Sequence, residues 1–314
     1  MIDQKIVFLG TGGTIAGTAA NAFEHSRYTA AQVGVHELLA VLPGWHNGSG
    51  AERYLVEQVA QLDSKDMGFD VWAKLALRVA HFLAQDDVQG IVITHGSDTL
   101  EETAYFLQAL LAPEKPVVMT CAMRPSNAVV PDGPQNLLDA LAVASSRGAS
   151  GVTVVCAGAI YGAEDVQKIH PYRLNAFSAG DAGPIGFVEC GHLRLLRDWP
   201  RGQAASLVSE LADAAWPRVE IVMSYAGADG MVVRALLKAG VKGLVVAATG
   251  NGTVHQDLEA ALVLAIQQGV KVLRATRCAE GQLLLGTHDV LPLAPGLTPV
   301  KARIALMLDL MRAP

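Results

Sequence analysis

Hydroxyl-bearing side chains follow two apolar runs that have the composition of buried strands. Thr14 stands in a glycine-rich segment that follows Lys5–Leu9. Ser97 and its neighbour Asp98 follow Gly90–Thr94. In open α/β sheets, ligands bind beyond the carboxyl ends of the strands, and a hydroxyl there can attack a carbonyl carbon once a base or relay takes its proton. The spacing therefore predicts a small-molecule site at one edge of a sheet.

Both segments also have alternative explanations. The segment Gly10–Gly17 partly matches the dinucleotide fingerprint Gly-x-Gly-x-x-Gly, but Ile15 stands where the last glycine would be. A tight turn would explain the same glycines. Thr99 and Glu102 have the capping-box spacing that begins a helix at Leu100. Helix capping alone would therefore account for part of the cluster around Ser97.

Two basic side chains follow other predicted strands. Arg124, after Pro116–Thr120, could pair with a substrate carboxylate, or it could fix its own loop through an ion pair with Asp132. Lys168, past Gly151–Ala157, could act as a base or relay beside a hydroxyl, or it could be a solvated surface charge. The residues alone leave both choices open.

Apolar runs alternate with helical patterns along most of the chain, which predicts an α/β fold made of open parallel sheets with helices on both faces. The predicted strands are Lys5–Leu9, Gly90–Thr94, Pro116–Thr120, Gly151–Ala157, Glu220–Met223, Gly243–Ala247 and Lys271–Ala275. The predicted helices are Asp66–Ala84, Leu100–Leu111, Gln135–Ser146, Met231–Ala239, Gln256–Gln268 and Pro299–Met311. The charged stretch 191–217 has no strong strand pattern. We therefore predict a linker with a short helix there, between a large N-terminal catalytic domain at 1–190 and a smaller C-terminal domain at 218–314.

Composition excludes several classes of protein. The 314 residues include 24 basic and 30 acidic ones, for a formal net charge of −6, and 51% are hydrophobic. A disordered chain needs lower hydrophobicity, and a nucleic-acid binder needs clustered Lys and Arg. The chain has no such excess of basic residues, so we expect no nucleic-acid partner. Its apolar runs are shorter than the roughly 20 residues that cross a bilayer, so we expect no membrane partner. Short apolar runs fit strands that are buried on both faces of a parallel sheet, and a subunit interface is the other way to bury the apolar excess.

The cysteines and histidines of the sequence bear on the cellular compartment and on metal binding. The four cysteines form no Cys-x-x-Cys pair, and Met1–Lys5 has no targeting pattern, so we expect free thiols in the cytoplasm. The nine histidines form neither His-Glu-x-x-His nor another tight pair, so we expect no metal site.

Three longer segments together resemble the bacterial L-asparaginase family, the asparaginase/glutaminase amidohydrolases. They are TGGTIAG at Thr11–Gly17, THGSDTLEETAYFL at Thr94–Leu107 and PVVMTCAMRPSNAVVPDGPQNL at Pro116–Leu137. The resemblance covers nearly the whole chain. It implies hydrolysis of the side-chain amide of L-asparagine to L-aspartate and ammonia, without a cofactor. The alternative is glutaminase or broader ω-amidase activity with the same residues.

The resemblance assigns the catalytic roles. Thr14 matches the nucleophile, and Tyr28 matches the tyrosine of a mobile flap that assists it. Ser97, Asp98 and Lys168 match a second catalytic set of hydroxyl, carboxylate and lysine.

The resemblance also implies substrate contacts and an assembly. Asp98 matches the ligand of the α-amino group, and Ser64 matches the residue that holds the α-carboxylate. Asn251 matches an asparagine contributed by the neighbouring subunit of a homotetramer, a dimer of intimate dimers. The other expected substrate-binding positions are Gly13, Lys65, Ser97 and Ala122.

Three positions depart from the family pattern. Ser97 replaces the second catalytic threonine, which keeps the hydroxyl and loses the stiff β-branched side chain. Lys65 stands where many relatives have Gln or Glu. The C-terminal segment is short, and Glu280 is the candidate substitute for an acidic residue that reaches the neighbouring site. These departures leave selectivity between substrates open.

Other function classes remain as alternatives. They are a non-catalytic amino-acid-binding module, an amidotransferase subunit that delivers ammonia, and a nicotinamide-dependent oxidoreductase. Retention of the hydroxyls, the carboxylate and the lysine argues against a binding module, and the lack of a basic patch argues against the amidotransferase.

Overall fold

The structure is a computed structural model in which the chain forms two compact units, Met1–Ala212 and Asp213–Pro314. It describes residues 4–24, 27–42, 44–45, 52–205, 207–286, 290–294 and 296–312. The first three residues, part of the segment in which we expected no targeting signal, lie outside these ranges. The domain limits 1–190, 191–217 and 218–314 stay a prediction.

The secondary structure alternates as the sequence predicts. The strands of the first unit are β1 (Lys5–Gly12), β2 (Thr18–Ala19), β3 (Tyr28–Thr29), β4 (Tyr54–Leu62), β5 (Val88–Thr94), β6 (Val117–Thr120), β7 (Val152–Cys156), β8 (Ala159–Gly162), β9 (Gln167–Lys168), β10 (Phe177–Ser178), β11 (Gly186–Glu189) and β12 (His192–Leu195). Its α-helices are α1 (Val35–Leu38), α2 (Phe69–Leu83), α3 (Leu100–Leu111) and α4 (Gly133–Ala144). The second unit contains β13 (Val219–Met223), α5 (Met231–Lys238), β14 (Gly243–Ala248), α6 (Gln256–Gln267), β15 (Lys271–Thr276) and α7 (Pro299–Arg312). Every predicted strand and helix is present, within three residues at either end.

The large sheet has the strand order β12-β11-β8-β7-β6-β5-β1-β4. The strands from β4 to β7 are parallel, and β8, β11 and β12 are joined to them and to each other in antiparallel pairs. The predicted α/β class is confirmed, but this sheet is mixed rather than parallel throughout. None of the helices in the described ranges combines the length and the apolar run that a bilayer crossing requires.

Two-residue turns produce the antiparallel part. Ala157 and Gly158 connect β7 to β8, and Cys190 and Gly191 connect β11 to β12, all four with positive φ. Positive φ at both central residues is the conformation that matches the twist of a hairpin. The expectation that 191–217 contains no strand is therefore wrong for His192–Leu195.

Apolar side chains alternate across the buried strands and place helices on both faces of the large sheet. Ile6 and Phe8 of β1 share one core cluster with residues of α1 and α4. On the opposite face of the large sheet, α2 contacts β5 and α3 contacts β7. Trp72 of α2 stacks on Phe106 of α3 with ring centroids 4.7 Å apart, which joins these two helices.

The second unit is a smaller parallel sheet with the order β13-β14-β15. Residues of α5 and α6 share a core cluster with the strands, and α7 contacts all three strands. This is the predicted smaller α/β domain.

Candidate active site

Adjacent strands bring the two hydroxyl-bearing segments together. β1 and β5 are parallel neighbours with Gly10 opposite Thr94, so both chains leave the sheet at the same edge. Gly13 has φ +82°, and a side chain on it would overlap the backbone of Gly96. This position requires glycine because its φ is left-handed and because the two backbones touch.

The predicted nucleophile lies on the first turn beyond β1. Thr14 begins a short 3₁₀ helix, Thr14–Ala16, and is only 7% exposed. Its Oγ1 lies 2.7 Å from the Oη of Tyr28, close enough for a hydrogen bond in either direction. Tyr28 stands on β3, which pairs with β2 in an antiparallel hairpin. The Tyr28 side chain is partly exposed. The structure thus places a phenol where it can exchange a proton with the threonine hydroxyl.

A second group of polar side chains forms beyond β5. The Lys168 Nζ donates to the Ser97 Oγ over 2.9 Å and to the Asp98 Oδ1 over 2.6 Å. Ser97 is buried, and the Lys168 side chain is 18% exposed, whereas that of Asp98 is 54% exposed. The alternative that Lys168 is a solvated surface charge is therefore wrong.

The third contributor follows β4, the strand on the other side of β1. Ser64 is buried, and its Oγ accepts a hydrogen bond from the Asp98 backbone N–H over 3.2 Å. The Thr99 hydroxyl donates to the Ser64 carbonyl over 2.8 Å, and it makes no capping bond within its own helix. The hydroxyl half of the predicted capping box is therefore wrong, because Thr99 links the turn after β4 to the turn after β5 instead. The order β4-β1-β5 explains how Ser64, Thr14 and Ser97 meet at one edge.

Comparison with known proteins decides the family. Residues 5–201 match the family model "Asparaginase, N-terminal", and residues 218–313 match "Glutaminase/Asparaginase C-terminal domain". This chain belongs to the asparaginase family. L-asparaginase 2 of Escherichia coli is 36% identical over 98% of this chain and 88% of its own length. A glutaminase-asparaginase of Pseudomonas fluorescens is 35% identical over 98% of this chain and 86% of its own.

Solved structures agree with this asparaginase assignment. The crystal structure of a probable cytoplasmic L-asparaginase from Campylobacter jejuni superposes with a TM-score of 0.90 at 34% identity. The match covers 98% of this chain and 95% of the Campylobacter chain. The whole asparaginase fold, and not one motif, is therefore shared.

Ala122 and Lys65, two of the expected substrate-binding positions, both lie beside residues of the candidate site, but the ammonium of Lys65 is engaged elsewhere. Ala122 is buried beside Ile15, the neighbour of Thr14. Lys65 follows Ser64, but its ammonium is bound by the carboxylates of Asp66 and Asp63, at 2.9 Å and 3.0 Å. These hydrogen bonds, that to Asp66 first, raise the pKa of Lys65 to about 12.

Asn251 lies in the second unit of this chain. Its side-chain amide exchanges two hydrogen bonds with the backbone of Leu284, accepting over 2.8 Å and donating over 3.3 Å. Its expected role at the site of a neighbouring subunit stays a prediction. Glu280, the candidate acidic substitute, is an exposed residue of the same unit.

The loop after β6 supports the site in a way that the asparaginase motifs do not reveal. The Asp132 carboxylate accepts hydrogen bonds from the backbone N–H groups of Met123 and Arg124, over 2.9 Å and 3.0 Å. The Arg124 guanidinium instead donates to the Val130 carbonyl. Asp132 does fix the loop, as one alternative held, but through backbone amides rather than through an ion pair.

Sequence reasoning missed Ser126 and Asn127 of that loop. Both bind the backbone of the segment that leads to Tyr28, more than 100 positions earlier in the chain. They lie in the family-like segment Pro116–Leu137, but that segment assigns them no role, because their bonds form between parts of the chain that are distant in sequence.

Buried titratable groups near the asparaginase site are held neutral. Burial lowers the pKa of His95 to about 4, and its Nδ1 lies 2.7 Å from the Gly96 carbonyl oxygen. A hydrogen bond with Cys156 and, as the second cause, burial raise the pKa of the Cys121 thiol well above its usual value. Neither group is suited to be a nucleophile or a base near neutral pH. Within the described residues, no group of three or more His, Cys, Asp or Glu side chains could hold a metal ion.

Proposed function

We propose that this chain hydrolyses the side-chain amide of L-asparagine to L-aspartate and ammonia, with Thr14 as the nucleophile. The observation that carries the proposal is the 2.7 Å contact between the Thr14 and Tyr28 hydroxyls. A threonine hydroxyl is a weak nucleophile and needs a partner that takes its proton. The names of the relatives, L-asparaginase and glutaminase-asparaginase, support the same reaction.

The reaction has two steps, in which Thr14 attacks the amide and Ser97 then assists the hydrolysis of the ester. Thr14 Oγ1 forms a bond to the amide carbon while its proton passes to the Tyr28 oxygen, and Tyr28 gives its own hydroxyl proton to the amide nitrogen. The C–N bond then breaks, and the nitrogen leaves as ammonia. Water then attacks the resulting ester and releases the carboxylate and the Thr14 hydroxyl. Ser97, hydrogen-bonded to Lys168, lies on the neighbouring strand end and passes one proton of this water on to the Thr14 oxygen as the ester bond breaks.

The remaining polar groups suit the two ends of an α-amino acid. The Ser64 oxygen accepts from the Asp98 N–H, which leaves its own O–H free to donate to the α-carboxylate. The Asp98 carboxylate is partly exposed beside this serine, and its negative charge suits the α-ammonium. A substrate held at both ends would present its side-chain amide to Thr14.

Glutaminase activity is the alternative, and the name glutaminase-asparaginase of two relatives at 35% and 36% identity favours it. Steady-state ammonia release from L-asparagine, L-glutamine and D-asparagine would separate the possibilities. We expect the highest kcat/KM on L-asparagine. Release from none of the three amides would overturn the proposed function.

We also propose a homotetramer, built as a dimer of dimers, and a cytoplasmic location. Large apolar side chains of the second unit are more than half exposed, which suits a subunit interface; they include Met223, Tyr225 and Met231. All four cysteines are free thiols, which suits a reducing compartment. Light scattering after size-exclusion chromatography would test the assembly, and cell fractionation would test the location.

A further inference from the structure

The side chain of Asn127 pairs with the backbone of the flap that carries Tyr28. Its Oδ1 accepts from the Ala19 N–H over 2.8 Å, and its Nδ2 donates to the Ala19 carbonyl over 2.7 Å. A neighbouring β-strand would bind the two backbone groups of one residue in the same way. The Asn127 amide therefore takes the place of a strand along the outer edge of β2.

The other edge of β2 carries the catalytic tyrosine. β2 pairs with β3 so that Ala19 lies opposite Tyr28. Because both backbone groups of Ala19 face Asn127, Ala19 and Tyr28 form a non-hydrogen-bonded pair, in which the side chains of the two strands are close. The Tyr28 hydroxyl then reaches Thr14 at 2.7 Å. One chain of contacts thus runs from Asn127 through Ala19 and Tyr28 to the nucleophile.

The segment that holds Asn127 is itself fixed. The backbone N–H and the hydroxyl of Ser126 both donate to the Gly17 carbonyl over 2.8 Å. The Val129 N–H donates to the Ala22 carbonyl over 3.1 Å, and Asp132 holds the start of the loop. These bonds give the Asn127 amide a defined place from which to orient the hairpin.

We propose that Asn127 is a positioning residue for Tyr28. The inference rests on the proposed function, in which Tyr28 takes the proton of Thr14. A two-stranded hairpin is only marginally stable by itself, so an added pairing partner for β2 limits how far Tyr28 moves from Thr14. Without the amide, the hairpin remains attached through Ser126, but the tyrosine hydroxyl spends less time within reach of the nucleophile.

Kinetics of Asn127→Ala test this role. We expect kcat to fall about tenfold or more, the effect of losing two hydrogen bonds, while KM changes by less than about threefold because Ser64 and Asp98 are untouched. Asn127→Asp, which keeps the acceptor and loses the donor, should lose at least about threefold in kcat if Asn127→Ala folds poorly. Asn21→Ala is the matched control, since the Asn21 amide oxygen accepts only from Phe23 of its own turn among the contacts described. An unchanged kcat in both Asn127 variants would overturn the proposal.

A double-mutant cycle separates positioning from general damage. In a Tyr28→Phe background, Asn127→Ala should cost less than about twofold in kcat, because the hydroxyl that it positions is already absent. Full additivity of the two losses would show that Asn127 acts by another route and would overturn the proposal.

Hydrogen exchange gives a readout that does not depend on catalysis. Peptides that contain Ala19 should exchange faster in Asn127→Ala than in the parent chain, because the Ala19 N–H loses its acceptor. Unchanged exchange would overturn the proposal even if activity falls. A different result would reject the proposed function: the parent chain releases no ammonia from any amide, although Asn127→Ala still speeds exchange at Ala19. In that case the pairing of Asn127 with Ala19 exists but serves no catalysis.

Discussion

The Lys168 ammonium donates a 2.9 Å hydrogen bond to the Ser97 hydroxyl, although 71 positions separate the two residues. Lys168 stands on β9, which is fixed by its antiparallel pairing with β10 and by a hydrogen bond from its backbone N–H to Glu101. The lysine is therefore oriented by its backbone, and its charge lies at the end of β5 where the Ser97 turn begins.

We expect Lys168→Met to lower kcat by about 10²–10⁴-fold, the usual range for loss of a general acid–base group. The methionine is an unbranched side chain one atom shorter than lysine, and it removes the donor to Ser97 and Asp98. The measurement is ammonia release at saturating L-asparagine. Lys242→Met, at an exposed lysine of the second unit, serves as the control. An unchanged kcat for Lys168→Met would contradict the part that this lysine takes in the proton relay through Ser97.

Thr14→Ala should abolish ammonia release and leave the chain folded, because only the hydroxyl and one methyl group are removed. Thr14→Ser should retain part of the activity, since the hydroxyl remains but its rotamer is less restricted. Circular dichroism and a melting curve would establish folding for both variants. Normal turnover by Thr14→Ala would exclude Thr14 as the nucleophile.

Ser97→Thr should keep or improve activity, while Ser97→Ala should lose it. Threonine retains the hydroxyl that accepts from Lys168, and its β-branch restricts χ1 and so favours one orientation. The comparison of kcat for the two variants is the measurement. A large loss in Ser97→Thr would mean that the buried Ser97 pocket has no room for the methyl group, and that serine and threonine are not equivalent here.

Gly17→Ala should displace the ring of Tyr28. A Cβ at this position would lie 3.0 Å from Tyr28 Cδ2 and 3.1 Å from the Thr14 carbonyl oxygen, closer than ordinary packing allows. We expect a loss of about 1–3 kcal/mol in unfolding free energy, as for overpacked sites, together with a lower kcat. Gly34→Ala is the matched control, because its nearest neighbour would be Gln58 at 3.9 Å. Equal behaviour of the two variants would contradict the steric argument.

Stability should fall in mild acid because of His95. Its pKa is about 4 in the folded chain and about 6.5 when unfolded, so below pH 6.5 the unfolded state binds a proton that the folded state does not. The stabilisation is fully present above pH 6.5 and is lost as the pH falls towards 4. The difference between the two pKa values corresponds to about 3 kcal/mol. Urea unfolding of His95→Asn between pH 7 and pH 4.5 should show a smaller acid loss than the parent chain, whereas His81→Asn, at an exposed histidine, should not.

Local patterns predicted most of the fold because they follow the period of each element. Largely apolar runs such as Val152–Cys156 form strands buried on both faces, and the Leu100–Leu111 helix has the limits that its pattern indicates. The hairpins of β8, β11 and β12 were not predicted. Their turns contain Ala157 and Cys190 at positive φ, and these residue types are uncommon in that conformation.

The sequence by itself determined the family, the alternating elements and the residue types at the strand ends, because each of these depends on neighbours along the chain. Only the tertiary structure decided which side chains meet. Thr99 matches a capping box, yet it bonds to Ser64, because the turn after β4 lies within reach of its hydroxyl. Asn127 lies within the family-like segment Pro116–Leu137, but that segment does not predict its pairing with Ala19, since a side-chain amide finds its partners by distance in space and not along the chain.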